Sequence, residues 1–162
     1  MKLYYKAIVI LLILFFCPSA HSAEKIFLYK GNFSRTIKIE DLNGFKKTKK
    51  TSNKLKNLMK ITNINDKDLH EFISYKIEVP VKVSSRLMNS KIGEVFLGRL
   101  SKIIHPNKIL DKSISAKAMR SGIILSSYKN NEKINLIDFF KAYPNKNIAI
   151  NLNALRKTLK KA

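Results

Sequence analysis

The first 23 residues place the strongest constraint on this chain, because they predict that it folds outside the cytoplasm. Lys2 and Lys6 form a short basic region, and Ala7–Phe16 is an unbroken apolar run of ten residues. Small residues follow the run, as in a secretory signal peptide. The run is much shorter than the roughly 20 residues that span a bilayer, so a retained membrane anchor is the weaker interpretation. The sequence predicts export to the periplasm, the thylakoid lumen or the extracellular space.

The small residues also predict where the mature protein begins. Ala20-His21-Ser22 fits the cleavage rule best, which gives a signal peptide at residues 1–22 and a single domain at residues 23–162; cleavage after Ala23 fits almost as well. Lipoprotein processing at Cys17 is a further alternative, but that chemistry needs a small residue before the cysteine, where a phenylalanine stands. Cleavage removes this only cysteine. The mature protein is then stabilised by one packed core without a disulfide.

The mature chain is strongly basic. Without Lys2 and Lys6, 30 basic residues remain against 11 acidic ones, a formal charge of +19. Basic side chains attract anionic lipid or polysaccharide surfaces, so an anionic membrane is one candidate partner. The candidate contacts are Lys46, Lys47, Lys49, Lys50, Lys54, Lys56, Lys60, Arg156, Lys157, Lys160 and Lys161.

A second interpretation of these lysines is a solvated surface without a specific ligand. Lysine outnumbers arginine 27 to 5, and asparagine and isoleucine are also abundant, which is the composition that an AT-rich coding sequence produces. Arginine favours bidentate phosphate recognition, and here it is scarce and scattered. Together with the predicted export, this disfavours nucleic acid as a partner. The solvated surface is the stronger interpretation.

Hydrophobic periodicity predicts an α+β domain that is predominantly helical and has one core. Short apolar-alternating runs at residues 25–30 and 34–39 flank a glycine and an asparagine and predict a β-hairpin. About six to seven helices follow. The late strand Asn147–Asn151 is expected to join the hairpin, and Leu152–Lys161 is expected to be a basic amphipathic helix.

The middle of the chain has boundaries that depend on its prolines. Ile77–Val83 alternates apolar and polar residues, but Pro80 cannot donate to a β-ladder, so this segment is expected to be an edge strand or an extended connector. Ser84 or Ser85 is then expected to open a short helix that ends at Met88.

Three further helices are predicted after it. One starts at Asn89 or Ser90 and runs to residue 104, with His105 as a C-terminal cap before a proline. The second is capped by Ser115, and the third by Asn135.

No catalytic motif is present in the sequence. A nucleophile elbow, Gly-x-Ser-x-Gly, needs two glycines four residues apart, which Gly31, Gly44, Gly93, Gly98 and Gly122 do not provide. His70-Glu71 lacks the second histidine that a zincin helix requires, and His105 has no partner motif. Asp66 and Asp68 flank a lysine and fit a first helical turn better than a calcium loop. The sequence predicts no catalytic, cofactor-binding or metal-ligating residue, and hence no enzyme.

Several segments, taken in order, resemble one known family. They are Ala23-Glu24-Lys25-Ile26, Arg35–Leu42, Arg86–Glu94, Ala118–Leu125 and Phe139–Pro144. The ordered set resembles the domain-of-unknown-function family numbered 1400, which occurs in secreted bacterial proteins, commonly ahead of an α/β-hydrolase domain. The resemblance covers essentially the whole mature chain.

The resemblance implies an export-associated helical module whose own activity is not established. It also implies that the family's hydrolase residues lie in a neighbouring domain, so no catalytic residue carries over. The chain ends at Ala162, just after the predicted closing helix, and the module is therefore expected to lack the hydrolase domain. The expected function is an exported, non-catalytic accessory or interaction module.

The partner of such a module remains open at this point. A separately encoded α/β hydrolase or an envelope component would contact exposed aromatic side chains, for which Phe96, Phe139, Phe140 and Tyr143 are the candidates. The alternative is that all four belong to the core. Two alternative functions are a basic protein that binds anionic membrane or envelope surfaces, and an enzyme with an unrecognised site.

Overall fold

The computed structural model describes residues 22–62 and 64–159. The strands are β1 (Lys25–Lys30), β2 (Phe33–Lys38), β3 (Ile77–Glu78), β4 (Ile104–Pro106), β5 (Lys133–Ile134) and β6 (Asn147–Asn151). The helices are α1 (Ile39–Thr48), α2 (Asn53–Thr62), α3 (Asp66–Ser74), α4 (Val81–Met88), α5 (Lys91–Leu100), α6 (Lys112–Lys129), α7 (Leu136–Ala142) and α8 (Leu152–Leu159). The predominantly helical α+β class is confirmed, with eight described helices where six to seven were expected. Residues 1–21 of the predicted signal peptide lie outside the described residues.

The main sheet joins the two ends of the described chain. Its strand order is β2-β1-β6-β4. β1 pairs antiparallel with β2 through a turn at Gly31, whose φ of 59° favours glycine, and parallel with β6. On one face, Ile26 lies opposite both Ile37 and Ile148, and all three are buried, which fixes the register. The predicted hairpin and its union with the late strand are confirmed.

The helices pack around one core that includes the apolar face of this sheet. α6, with 18 residues the longest described helix, contacts α4, α5, α7 and β4, while α8 contacts β1 and β6. α5 begins tightly against the end of α4, because a Cβ on Gly93 would lie 2.0 Å from the carbonyl oxygen of Leu87. Among the helices that the structure describes, none has the length together with the apolarity that a membrane span needs.

The segment after α3 differs from the predicted extended one. Only the two residues of β3 are extended in a ladder, paired antiparallel with β5, and α4 begins at Val81 rather than at Ser84 or Ser85. Pro80 is the N-cap residue of α4. The carboxylate of Glu132, which precedes β5, accepts a hydrogen bond from the Val81 amide at 2.9 Å. A side chain distant in sequence thus satisfies one of the first amides of the helix and lets it start early.

The helix predicted to run to Ile104 ends at Leu100. The chain then turns and forms β4, which pairs antiparallel with β6. His105 is consequently a buried strand residue and not a helix cap. Its Nδ1 donates to the Pro106 carbonyl at 3.0 Å, which leaves Nε2 to accept from the Tyr29 hydroxyl at 2.9 Å. The pairing with β6 therefore removes the last predicted turn from the helix.

Two helix starts test the predicted caps. Asp111 caps α6 instead of Ser115, because its carboxylate accepts two backbone amide hydrogens at 2.7 and 3.1 Å. A carboxylate at the positive end of a helix is a favourable N-cap. Asn135 caps α7 as predicted, and together with Asp138 it forms a capping box.

Candidate functional site

An open cleft of about 660 Å³ lies among α3, β3, the end of α5, α6, β5 and α7. We call it the α3–α7 cleft. Buried side chains, Met119 of α6 and Phe139 of α7, form its floor together with Ile123. Phe72 and Tyr75 of α3 border it and project into solvent. The cleft is therefore an apolar surface with an aromatic rim.

The rim follows from the sequence of α3. Asn65 caps this helix, since its side chain accepts a backbone amide hydrogen at 2.8 Å. Ile73 enters the core, whereas Phe72 remains 65 % exposed and Tyr75 69 % exposed. The principal neighbours of α3 are α1 and α7. The apolar stripe of α3 is thus wider than the elements that cover it.

Three polar side chains also border the cleft. Asp68 and Glu71 of α3 supply carboxylates. The carboxylate of Asp68 accepts a hydrogen bond from the side-chain Nδ2 of Asn65 at 2.9 Å. Asn135 is buried; its Oδ1 accepts the capping hydrogen bonds of α7, and its Nδ2 has no partner among the described residues. The described residues that line the cleft include no serine, cysteine or histidine. Its chemistry is that of an apolar binding surface with a small acidic border.

Tyr143 supports the floor of the cleft from within the core. Its ring packs edge-on against Phe139, with ring centroids 5.8 Å apart. The side chain is fully buried, and its hydroxyl has no hydrogen-bond partner in the described part of the chain. Burial raises the pKa of this hydroxyl above its ordinary value, because the charged form would be desolvated. Tyr143 is therefore neutral at physiological pH and contributes by packing.

The four aromatic residues predicted as partner contacts do not share one surface. Phe139, Phe140 and Tyr143 are buried, and Phe96 on α5 is 45 % exposed. The prediction of a joint exposed patch is wrong because α7 is covered by α6, α1 and α3, which enclose its aromatic side chains. Phe139 reaches the cleft, but only as part of its floor.

The predicted basic contacts lie on consecutive elements. Lys46 and Lys47 end α1, Lys49 and Lys50 follow it, and Lys54, Lys56 and Lys60 lie on α2; all are exposed except the half-buried Lys46. On α8, Arg156 and Lys157 are exposed, while Lys160 and Lys161 lie outside the described residues. Lys49 borders a hollow with Asp66 and Glu71 of α3. Acidic side chains therefore stand beside part of the lysine-rich segment.

Both described histidines make contacts within the fold. His70 has its Nε2 3.1 Å from the carbonyl oxygen of Lys46 and stands edge-on to Phe45. His105 bonds to Tyr29, as described above. Within residues 22–62 and 64–159, no three His, Cys, Asp or Glu side chains come together as a metal ion requires.

Hydrophobic periodicity does not by itself reveal the cleft. It marks Leu69, Phe72 and Ile73 as one apolar face and does not say which of them a neighbour covers. A signal is nevertheless present, since Tyr75 and Ile77 extend the apolar pattern beyond the single stripe that a core-facing helix needs. Both residues are exposed beside the cleft.

The architecture is that of a single-core α+β domain with a small mixed sheet. Among the described strands, β1 and β6 are the only parallel pair, so this sheet is not the doubly wound parallel sheet of an α/β-hydrolase domain. A family model described as alpha/beta hydrolase of unknown function (DUF1400) matches residues 22–151. The chain belongs to this family, as the resemblance indicated. No curated protein and no solved structure matches the chain.

Proposed function

We propose that this protein is an exported, non-catalytic interaction module that binds an apolar segment of a protein partner in the α3–α7 cleft. The expected partner is a separately encoded α/β hydrolase. The observation that carries the proposal is the open apolar cleft bordered by the exposed side chains of Phe72 and Tyr75. Aromatic anchors beside an apolar depression are typical of the energetically important centre of protein interfaces.

The size of the cleft supports a binding role. Its volume of about 660 Å³ lies within the roughly 300–1,000 Å³ that binding pockets occupy. Exposed aromatic side chains promote aggregation unless a partner covers them, so a bound partner would account for their position. The carboxylates of Asp68 and Glu71 would favour a partner segment that carries a basic residue next to its apolar ones.

The non-catalytic part of the proposal rests on the sequence and on the main sheet. The 162 residues contain no Gly-x-Ser-x-Gly, and β1 with β6 is the only parallel pair among the described strands. The family is described as alpha/beta hydrolase of unknown function, and the proposal assigns the hydrolase activity to the partner. Ester hydrolysis by the purified protein, abolished by a substitution in the cleft, would contradict this part of the proposal.

The binding part is tested by site-specific photocrosslinking followed by direct affinity measurement. A photoreactive amino acid at position 72 is expected to crosslink one α/β hydrolase in cells. The same amino acid at position 110 is not expected to crosslink it, because Leu110 is exposed in the segment before α6 and does not line the cleft. With the purified hydrolase, Phe72→Ala with Tyr75→Ala is expected to weaken binding at least about tenfold. Leu110→Ala is the matched control, and equal affinity of the two variants would reject the cleft as the docking site.

A further inference from the structure

Helices α4 and α5 expose apolar side chains that the core does not use. Ile92 on α5 is 74 % exposed, and Val95 and Phe96 follow at helical spacing on the same side. The buried residues of α5, Gly93 and Leu97, lie on another side of the helix. α5 is therefore apolar on two sides, of which only one faces the interior.

α4 adds to this exposed surface. Val83 and Leu87 are exposed and stand four residues apart, so they share one side of α4. The carbonyl oxygen of Leu87 approaches Gly93 so closely that a Cβ there would lie 2.0 Å away. The backbone of Leu87 is thus held against the first turn of α5, which also carries Ile92. The two helices that expose these apolar side chains are therefore in contact with each other.

Basic side chains accompany these apolar ones. Lys82, Arg86, Lys91 and Arg99 are exposed on the same two helices, against one acidic residue, Glu94. Surfaces that lie in the interface of an anionic bilayer combine exposed apolar side chains with flanking Lys and Arg. The charge of this surface therefore selects an anionic lipid headgroup layer as its complement.

We propose that the surface of α4 and α5 formed by Val83, Leu87, Ile92, Val95 and Phe96 inserts into the headgroup region of an anionic bilayer. The flanking basic residues bind lipid phosphates, and the lysine-rich segment at residues 46–60 adds longer-range attraction. This surface is distinct from the α3–α7 cleft, so the proposal is independent of the docking function. It differs from binding by the lysines alone because it requires apolar side chains to enter the lipid.

The absence of tryptophan from the chain allows a direct test of insertion. A single tryptophan is placed at Ile92→Trp or, as the matched control, at Leu110→Trp, where the native side chain is 79 % exposed. Each variant is mixed with vesicles of phosphatidylglycerol and phosphatidylcholine that carry brominated acyl chains. We expect the emission of Ile92→Trp to shift to the blue and be quenched by the lipid, and that of Leu110→Trp to remain unchanged. Equal behaviour of the two variants overturns the proposal.

A charge-matched pair separates insertion from general electrostatic attraction. Ile92→Glu and Leu110→Glu introduce the same charge at positions of similar exposure. The rest of the sequence is identical in the two variants, so any binding by the apolar residues 1–21 affects both alike. The added negative charge is expected to weaken partitioning of either variant into the vesicles by about fivefold at most. Because insertion also buries an isoleucine side chain, Ile92→Glu is expected to weaken partitioning about tenfold more than Leu110→Glu does. Equal losses assign vesicle binding to net charge and reject insertion.

The cleft provides a last control. Phe72→Ala is expected to leave vesicle binding unchanged, because it lies in the docking site of the first proposal. If Ile92→Glu weakens binding to the hydrolase that is crosslinked at position 72 and has no effect on vesicles, the α4–α5 surface belongs to a protein interface and the membrane proposal is wrong.

Discussion

Helices α7 and α3 have similar caps and aromatic residues, but the aromatic side chains of α7 are buried and those of α3 are exposed. Each begins after an asparagine whose side chain accepts a backbone amide hydrogen, Asn135 or Asn65, and each is followed by a tyrosine as its C-cap residue, Tyr143 or Tyr75. Nevertheless Tyr143 is buried and Tyr75 is exposed. The difference lies in their neighbours, because α7 contacts α6, α1 and α3, whereas the principal neighbours of α3 are α1 and α7.

The comparison separates the residues that form a helix from the neighbouring elements that determine the role of its aromatic side chains. Caps and apolar spacing make both segments helical. Whether their aromatic side chains stabilise the fold or remain available for binding depends on how many other elements surround them. α7 accordingly contributes to stability, and α3 provides the rim of the candidate site.

The largest difference in stability is expected when a phenylalanine is replaced by alanine in each of the two helices. Phe140→Ala in α7 removes a buried ring and is expected to lower the free energy of unfolding by about 3–5 kcal/mol. Phe72→Ala in α3 removes an exposed ring and is expected to change it by about 0.5 kcal/mol or less. Urea unfolding followed by far-UV circular dichroism measures both. Similar losses in the two variants would show that α3 is as much a part of the core as α7.

The same contrast between a packed and an open position occurs within α5. Gly93→Ala places a Cβ against a backbone oxygen of α4 and is expected to destabilise the protein by about 1–3 kcal/mol. Gly98→Ala meets nothing within 4 Å and is expected to stabilise it by about 0.5–1 kcal/mol, since alanine favours helix more than glycine does. Thermal unfolding of the two variants is the measurement. A stabilising effect of Gly93→Ala would contradict the tight junction of α4 with α5.

The smallest expected change in the free energy of unfolding distinguishes Tyr143 from Tyr75 and depends on pH. Burial raises the folded-state pKa of Tyr143, so above about pH 10 the unfolded chain loses this proton while the folded protein keeps it. The free energy of unfolding of the wild type then falls as pH rises, by about 1.4 kcal/mol per pH unit from this group. Below pH 10 the group contributes no pH dependence.

Tyr143→Phe removes this proton and is expected to unfold at nearly the wild-type urea concentration at pH 7, because the hydroxyl that it deletes has no hydrogen-bond partner among residues 22–62 and 64–159. At pH 11 it is expected to exceed the wild type by about 1.4 kcal/mol. Tyr75→Phe, which removes an exposed hydroxyl, is the matched control. A Tyr143→Phe variant that follows the wild type between pH 9 and 11 would show that Tyr143 ionises in the folded protein.

Local signals in the sequence predict the hairpin and the cap at Asn135. Alternating apolar residues set the register of β1 with β2, and an asparagine before an apolar run needs only its own neighbours to cap a helix. The boundaries that were predicted wrongly depend on distant residues. Glu132 supports the early start of α4, and pairing with β6 converts His105 from a helix end into a strand.

The α3–α7 cleft belongs to the second kind of feature. Periodicity identifies Phe72 and Phe140 equally well as apolar positions on amphipathic helices. Their different exposure results from the placement of α6 and α1, which the spacing of residues in α3 or α7 does not encode. For the same reason, Phe139, Phe140 and Tyr143 are indistinguishable in sequence from surface contacts.

The parallel pairing of β1 with β6 determines when the domain can fold. β1 is a central strand of the main sheet, but one of its two neighbours lies at the far end of the described chain. A polypeptide is made from its N-terminus, so β1 and β2 wait as an isolated hairpin, which is marginally stable in water, until β6 has emerged. Such long-range pairing makes folding slow and postpones it until β6 has been made. Until then, a chain with this topology remains unfolded enough to pass through a narrow channel.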